Sequence, residues 1–334
     1  MGPVAIVCSA HGYGHVTRQT ALARALRAEG VSCTLFTAAP VALVDEWLPD
    51  PTVVPWTADV GIVQPDSLTE DIEDTRVRLE AVCSPARIQA LADALSGFAR
   101  VIVDTAPPAM EAARLAGVPC VAVGNFDWAW IYCHYPRLRD FAERFARWQA
   151  PHPAASLWPG PGLHGFASVV PFGLLARVGQ PVLPPSPDQR VLVSFGGFGL
   201  DLNALLPVIP GVRYLLAAHG PSLDRPDCSV IADVAYPHLV ASADLVLSKP
   251  GYGILGEAMA AGTRLLWVPR GAFPEAQSLI DAATSWGAHL SHANPHDLAH
   301  DIPAALSRPR PPALPADAAR ALAQWVVRGA PNPG

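Results

Sequence analysis

Apolar residues fall into two recurring arrangements along the chain: short unbroken runs, and stretches where they return every three to four positions. Alternation of the two predicts strands buried on both faces, each followed by an amphipathic helix. The first half reads as a strand over Val4–Cys8, a helix from about His15 to Glu29, a strand over Ser32–Phe36, a helix near Val41–Leu48 and a strand near Thr52–Val54. A longer helical region runs from about Ser67 to Ser96 and stops at Gly97. A strand over Val101–Val103, a helix over Ala109–Ala116 stopped by Gly117, a strand over Cys120–Val123 and a long aromatic-rich helix over Asp127–Gln149 follow.

From Gly173 to Asp188 the chain becomes proline-rich ("GQPVLPPSPD"), which suits neither helix interior nor central strand and reads as a linker, with 176–188 as its span. A second βα series begins after it. Strands are predicted at Val191–Ser194, Arg213–Leu216, Leu245–Leu247 and Leu265–Val268, with helices starting near Tyr236, Gly253, Pro274 and His296. Pro303–Pro315 is again proline-rich, and Ala316–Arg328 reads as a terminal helix. The expected fold is α/β, with two Rossmann-like domains facing a central cleft. The first covers 1–175 and is rejoined by the terminal helix at 316–330, and the second covers 189–315.

A length of 334 residues favours two cores, and 51% hydrophobic against 16% charged residues is ample for both. No apolar run approaches the roughly 18 residues needed to span a bilayer. No leader-like segment precedes the first strand, and position 6 lacks the Ser or Thr that follows a myristoylated Gly2, so a cytoplasmic location is expected. The six cysteines are scattered without a Cys-x-x-Cys pair and read as core thiols. The formal charge of −6 carries no basic stripe, which argues against a nucleic-acid partner. Lys249 is the single lysine among 23 basic residues.

Ligands of such sheets sit at the carboxyl ends of strands, and four of these ends are distinctive. They carry "SAHGYGHVTR" at 9–18, Asp104-Thr-Ala-Pro107, Ser194-Phe-Gly-Gly-Phe-Gly199 and Ser248-Lys-Pro-Gly-Tyr-Gly253. The last reads as a diphosphate cradle: Gly251 and Gly253 let backbone approach an anion, the helix start offers free N–H groups, Tyr252 lies between them and Lys249 adds charge. Gly196 and Gly197 would serve the same ligand from the preceding strand end. Glu257, one turn into the helix, points to where a ribose would sit. Gly-x-x-x-x-Gly-Lys is absent, and an ordinary glycine-rich turn remains the competing reading. In "PRGAFPEAQ", Arg270, Glu275 and Gln277 are candidate donor contacts, although Glu275 also suits a helix's first turn.

In the opening loop His15 is the candidate base and Asp104 the carboxylate that would orient it, with a loop-capping histidine as the alternative. His11, Gly12, Tyr13, Gly14, Asn125 and Trp128 are expected on the acceptor side, with Phe126 and Trp130 nearby; core packing is the competing role for these rings. His289, His292, His296 and His300 form a cluster, but Pro295 divides it and His-Glu-x-x-His is absent, so no metal is assigned. No Asp-x-Asp pair occurs, which argues against a metal-chelated donor of that type. "EDIEDTR" at 70–76 reads as a solvated helix face.

Together, "GYGHVTR" at 12–18, "GNFDWAWIY" at 124–132, "VSFGGFG" at 193–199 and "LSKPGYGILGEAMAAGTRLLWVPRGAFPE" at 247–275 resemble the GT-B glycosyltransferases. The similarity is greater to the glycosyltransferase-like N-terminal domain of plant L-arabinokinase and its bacterial relatives, and it covers nearly the whole chain, without a sugar kinase domain. The resemblance implies a catalytic base at His15, its acid partner at Asp104, nucleoside diphosphate at the Gly251–Gly253 helix start, ribose at Glu257 and donor sugar at Glu275. Arg264 and Gly256 depart from the proline and serine usual there. The implied activity is inverting, metal-independent transfer from a nucleoside-diphosphate sugar, UDP-sugar favoured, to an unidentified acceptor hydroxyl, with no cofactor. A nucleotide-sugar epimerase and a catalytically silent binding module are the alternatives.

Overall fold

In a computed structural model the described residues are 1–64, 70–195, 202–218, 223–268, 273–290 and 297–329. Contacts divide them into two compact units. The first comprises residues 1–64, 70–175 and 317–329, and the second the described residues from Ala176 to Ala316.

The first unit is a seven-stranded parallel sheet of β1 (Val4–Cys8), β2 (Cys33–Thr37), β3 (Thr52–Pro55), β4 (Arg100–Asp104), β5 (Cys120–Gly124), β6 (Pro153–Trp158) and β7 (Ser168–Leu174). Their spatial order is β3-β2-β1-β4-β5-β6-β7. Strands β1, β4 and β5 are buried along their whole length, which is why each reads as an unbroken apolar run. On one face Val4 and Ile6 pack with Leu22 and Leu26 of the helix Tyr13–Ala28 and with Leu322 and Val326 of the helix Ala318–Val327. Burying each such side chain is worth about 1.5–3 kcal/mol. On the other, Ala5, Val7, Val101 and Val103 pack against the helices Pro85–Leu95 and Pro107–Leu115.

Strand order reverses between β1 and β4, and the register pairs their last residues, Cys8 with Asp104. Whatever follows β1 therefore meets whatever ends β4 at the crevice such a reversal opens.

The sequence pattern left β6 and β7 unread, because both contain proline and β7 forms the sheet edge, where Pro171 costs no central ladder bond. The long helix expected over Asp127–Gln149 is interrupted: helices Trp128–Cys133 and Arg139–Gln149 flank a 3₁₀ turn at Pro136–Leu138, since Pro136 has no N–H to continue the first. Likewise Pro85 separates Ile72–Val82 from Pro85–Leu95 in the region expected as one helix, of which residues 67–69 lie outside the described residues.

The second unit repeats the topology with β8 (Gln189–Ser194), β9 (Val212–Ala217), β10 (Cys228–Ile231), β11 (Leu245–Ser248), β12 (Arg264–Trp267) and β13 (His289–Leu290), ordered β10-β9-β8-β11-β12-β13. All pairs are parallel, and the reversal joins Ser194 of β8 to Ser248 of β11. The outermost strands, β10 and β13, were not expected; both are short. Pro303 lies inside the helix Leu298–Ser307, because Leu298, Ile302, Ala305 and Leu306 bury one continuous stripe against the sheet and carry the helix through it.

Candidate functional site

The first helix begins at Tyr13, two residues earlier than the apolar pattern indicates, because Gly12 turns the chain with φ 81° immediately before it. His15 consequently lies in the first helical turn. Arg18 and Gln19 follow at the three- and four-residue spacings that stack side chains on one helix face. All three are buried.

That face meets Asp104 at the end of β4. His15 Nδ1 is 3.0 Å from Asp104 Oδ1, Arg18 Nε donates to Oδ2 at 2.7 Å, and Gln19 Nε2 donates to the same oxygen at 2.7 Å. Arg18 Nη2 also pairs with Oδ1, and Thr105 Oγ1 donates to it at 3.2 Å. Asp104 is fully buried. Burial alone would push its carboxyl up; the charges of Arg18 and His15 and the bonds from both outweigh it and hold the group below the usual carboxylate range.

Thr105 adopts φ 50°, an unusual conformation for a β-branched residue, and this turn directs its hydroxyl back at Asp104. Gly124 accommodates it: a Cβ there would lie 2.6 Å from Thr105 Cγ2. Arg18 Nη1 donates to Asn125 Oδ1, and Asn125 Nδ2 donates to the Pro159 carbonyl at 2.6 Å. Asn125, expected on the acceptor side, is thus buried as a brace for Arg18.

An aromatic ladder leads away from His15. Its ring is 5.9 Å from Phe126, which is 5.3 Å from Trp128, both edge-to-face, and the His11 ring lies edge-on to Trp128 at 6.2 Å. Phe126 and Trp128 are buried, whereas Trp130 is half-buried between His134 and His164. Gly61 is required beneath His11, since a Cβ there would lie 2.3 Å from that ring. Trp128 Nε1 donates to Asp59 Oδ2 at 3.0 Å, and Ser9 Oγ donates to Asp59 Oδ1 at 2.6 Å. Tyr13 and Gly12 are exposed and Gly14 half-buried at the lip.

In the second unit Gly251 precedes the helix Tyr252–Ala261, whose first turn contains Gly253. Among the described residues, a Cβ on Gly251 would meet Ile254 Cγ2 at 3.9 Å, an ordinary contact, and nothing nearer. Glu257 is buried, and Arg177 Nε donates to its Oε1 at 2.6 Å. The Arg177 guanidinium lies 5.9 Å from the Tyr236 ring, and Tyr236 Oη donates to Ser194 Oγ at the end of β8. Glu275 immediately precedes the helix Ala276–Trp286, and Gln277 Nε2 donates to Asp281 one turn on, at 2.7 Å. Gly196, Gly197 and Arg270 lie outside the described residues, as do His292 and His296. His289 is in β13, and His300 Nδ1 is 3.2 Å from Asp301. Arg264 opens β12 at its amino end, where Nε donates to the Arg308 carbonyl at 2.6 Å, so this departure lies away from the carboxyl end of the strand.

No family model matches the chain. L-arabinokinase of Arabidopsis thaliana is 28% identical over 291 residues, covering 79% of this chain and 28% of that protein, so the chain spans little more than a quarter of its relative. Among solved structures, the spinosyn forosaminyltransferase SpnP is 16% identical with a TM-score of 0.64, covering 99% of this chain and 96% of that one. Glycosyltransferase VinC in complex with dTDP is 17% identical at TM-score 0.56, covering 98% and 96%. A UDP-glucosyltransferase from Polygonum tinctorium is 16% identical at TM-score 0.58, covering 98% and 94%. The fold is that of the GT-B glycosyltransferases.

Within this GT-B fold, the structure brings His15 and Asp104 together and gathers His11 and Trp128 beside them. It adds Arg18, Gln19, Thr105, Ser9 and Asp59, none of which sequence reasoning assigned a role. Arg18 and Gln19 had a usable signal in their helical spacing from His15. Asp59 had none, since it lies in irregular chain after β3 and meets Ser9 and Trp128 only through tertiary packing.

Proposed function

We propose that the chain is an inverting glycosyltransferase that moves a sugar from a nucleoside-diphosphate sugar, UDP-sugar favoured, to an acceptor hydroxyl without a metal. The first unit supplies the acceptor side and the base, and the second anchors the donor. The observation that carries this reading is the 3.0 Å contact between His15 Nδ1 and Asp104 Oδ1 where the strand order reverses. In this reading Nδ1 carries a proton toward Asp104 rather than accepting from Arg18 Nη2, which lies 2.9 Å from it, and Nε2 is the ring's basic nitrogen.

In the proposed step Nε2 takes the acceptor hydroxyl proton while that oxygen forms a bond to the anomeric carbon. The bond from that carbon to the diphosphate breaks, and its electron pair leaves with the diphosphate. Attack opposite to departure inverts the centre. Charge developing on the diphosphate is met by the N–H groups at the Gly251 helix start and by Lys249, which is why no metal is invoked. Glu257 would accept from ribose hydroxyls, with Arg177 holding its other side. The VinC complex with dTDP and the Polygonum UDP-glucosyltransferase support a pyrimidine nucleoside diphosphate as the ligand class. All six cysteines are free, which accords with a reducing, cytoplasmic setting. Among the described residues no helix is long and apolar enough to cross a membrane.

The test is incubation with UDP-glucose or dTDP-glucose and a panel of phenols, with products read by anomeric-proton NMR. A β-linked product from the α-linked donor, insensitive to EDTA and lost in His15→Gln, is the expected result. Conversion of the donor sugar without acceptor would instead make the chain an epimerase, and donor binding without product a silent module. If neither nucleotide nor its sugar raises the melting temperature, the donor-site reading fails.

A further inference from the structure

Three groups of the first unit meet more closely than their hydrogen-bonding roles allow all at once. His15 Nδ1 is 3.0 Å from Asp104 Oδ1 and 2.9 Å from Arg18 Nη2, and Nη2 itself donates to that same Oδ1. In a neutral imidazole each nitrogen either carries a proton or accepts one. Toward the carboxylate Nδ1 must donate, and toward the guanidinium, which has no acceptor, it must accept. Each neutral form of the ring therefore satisfies one contact and leaves the other unmet.

The partners of the two competitors are unequal. An ionised carboxylate offers about four lone-pair sites. Arg18 Nε and Gln19 Nε2 each donate to Oδ2 at 2.7 Å, while Arg18 Nη2 and Thr105 Oγ1 donate to Oδ1, the hydroxyl at 3.2 Å. Among the described residues these four donors fill Asp104 without His15. Arg18 Nη2 carries two hydrogens and gives one to Oδ1, which leaves the other for Nδ1. The guanidinium is held in place as well: its Nε is bound to Oδ2, its Nη1 donates to Asn125 Oδ1, and the side chain is buried. Its bond to Nδ1 is charge-assisted and so among the stronger kinds.

We propose that Arg18 keeps His15 idle until the acceptor arrives. In the free chain Nδ1 accepts from Arg18 Nη2 and the ring's proton sits on Nε2, where it bars the ring from acting as a base. Arming the ring requires Thr105 to withdraw its hydroxyl hydrogen from Oδ1, so that an Nδ1–H takes the vacated site. Thr105 is the donor suited to yield, because it is neutral and its hydroxyl, 3.4 Å from Nδ1, needs only to rotate. The exchange is balanced: water protonates Nδ1, and the imidazolium so formed returns its Nε2 proton to water. The armed form is the one used in the step above, and the charge the ring then gains is met by Asp104 at 3.0 Å. This rests on His15 being the base. Arg18 and Thr105 touch no reacting atom and act through His15, which makes them positioning residues. An idle ring does not deprotonate water, so the nucleotide sugar is spared hydrolysis while no acceptor is bound.

The position of the ring proton can be read without any substrate. In the full chain labelled with ¹⁵N-histidine at pH 8.5, long-range ¹H–¹⁵N correlations of His15, assigned with His15→Gln, are expected to show Nε2 protonated and Nδ1 bare. A proton on Nδ1 of the free wild-type chain, with or without one on Nε2, overturns the proposal. Thr105→Val keeps the branched side chain and removes the hydroxyl, which opens a site on Oδ1. There the Nδ1–H form is expected to gain by about tenfold relative to wild type.

Kinetics supply the second arm. In Thr105→Val the rate of UDP-glucose hydrolysis without acceptor, divided by the rate of transfer to a phenol, is expected to rise by about tenfold. A merely structural role for Thr105 lowers both rates together, and an unchanged ratio also overturns the proposal. Transfer that survives in His15→Gln defeats the base assignment, whereas the ring spectrum judges the bond from Arg18 to Nδ1 independently of it.

Discussion

The two units share one topology and reverse strand order at equivalent places, but they furnish the reversal differently. At β1 and β4 the edge is filled by the protein's own side chains: a fully buried carboxylate that accepts from Arg18, Gln19 and Thr105 and lies 3.0 Å from His15 Nδ1. At β8 and β11 the described residues are two serines paired in register and Gly251 beyond them, and the buried ion pair of Arg177 with Glu257 involves the helix after that glycine. Handling a proton requires a fixed ring and a fixed charge, whereas holding an anion requires accessible backbone. Under the proposed function the first edge would handle the proton through side chains and the second would meet the anion through backbone.

The largest expected effect tests whether the first edge is a single charged unit. Arg18→Ala leaves the Asp104 anion buried without its cation and should destabilise the first unit by roughly 3–5 kcal/mol, measured by urea unfolding. Gln19→Ala, which removes only a neutral donor, should cost far less. If the two cost the same, the contrast between a charged edge and a neutral one fails. The next effect is on rate: His15→Gln should reduce transfer by about 10²–10³-fold while leaving the thermal shift with UDP unchanged, because the nucleotide is assigned to the other edge.

The third effect concerns pH. The Asp59 carboxyl is raised in the folded chain from 3.8 to about 6, so its charged form opposes folding: the penalty is absent below about pH 4, grows between the two values and is complete above about 6. Asp59→Asn should therefore be more stable than wild type by at most about 3 kcal/mol at pH 7.5 and equal to it at pH 3.5, as read by thermal melts. The smallest effect sharpens the second edge. Gly251→Ala should change stability by less than about 1 kcal/mol, given the 3.9 Å clearance of its Cβ, yet weaken UDP binding by about tenfold in titration calorimetry if the backbone there approaches the diphosphate.

The central strands of both sheets were legible because burial on both faces writes itself as unbroken apolar runs. The strands that escaped, β6, β7, β10 and β13, are short, proline-bearing or peripheral, where pairing rather than pattern makes the strand. Prolines misled in both directions. Pro136 and Pro85 divided helices that the apolar periodicity joined, while Pro303 was absorbed by a helix whose buried stripe outweighs one missing bond. In the site, the meeting of His15 with Asp104 follows from where two strands end, and topology alone brings those ends together. Arg18 was visible in principle through its spacing from His15. Asp59 was not, because its significance arises from two donors that are 50 and 69 positions away in the chain.

The helix Ala318–Val327 gives the first unit a history as well as a shape. Leu322 and Val326 complete a core that also holds Leu22 and Leu26, which are made near the beginning of synthesis. As the chain leaves the ribosome, the first unit waits with that apolar face uncovered until all of the second has emerged. Its final closure is thus a long-range event, slow by the measure of sequence separation. A chain stopped at Ala316 should show this directly, as dye binding to the exposed face of the first helix, relieved by adding residues 317–334 as a separate peptide.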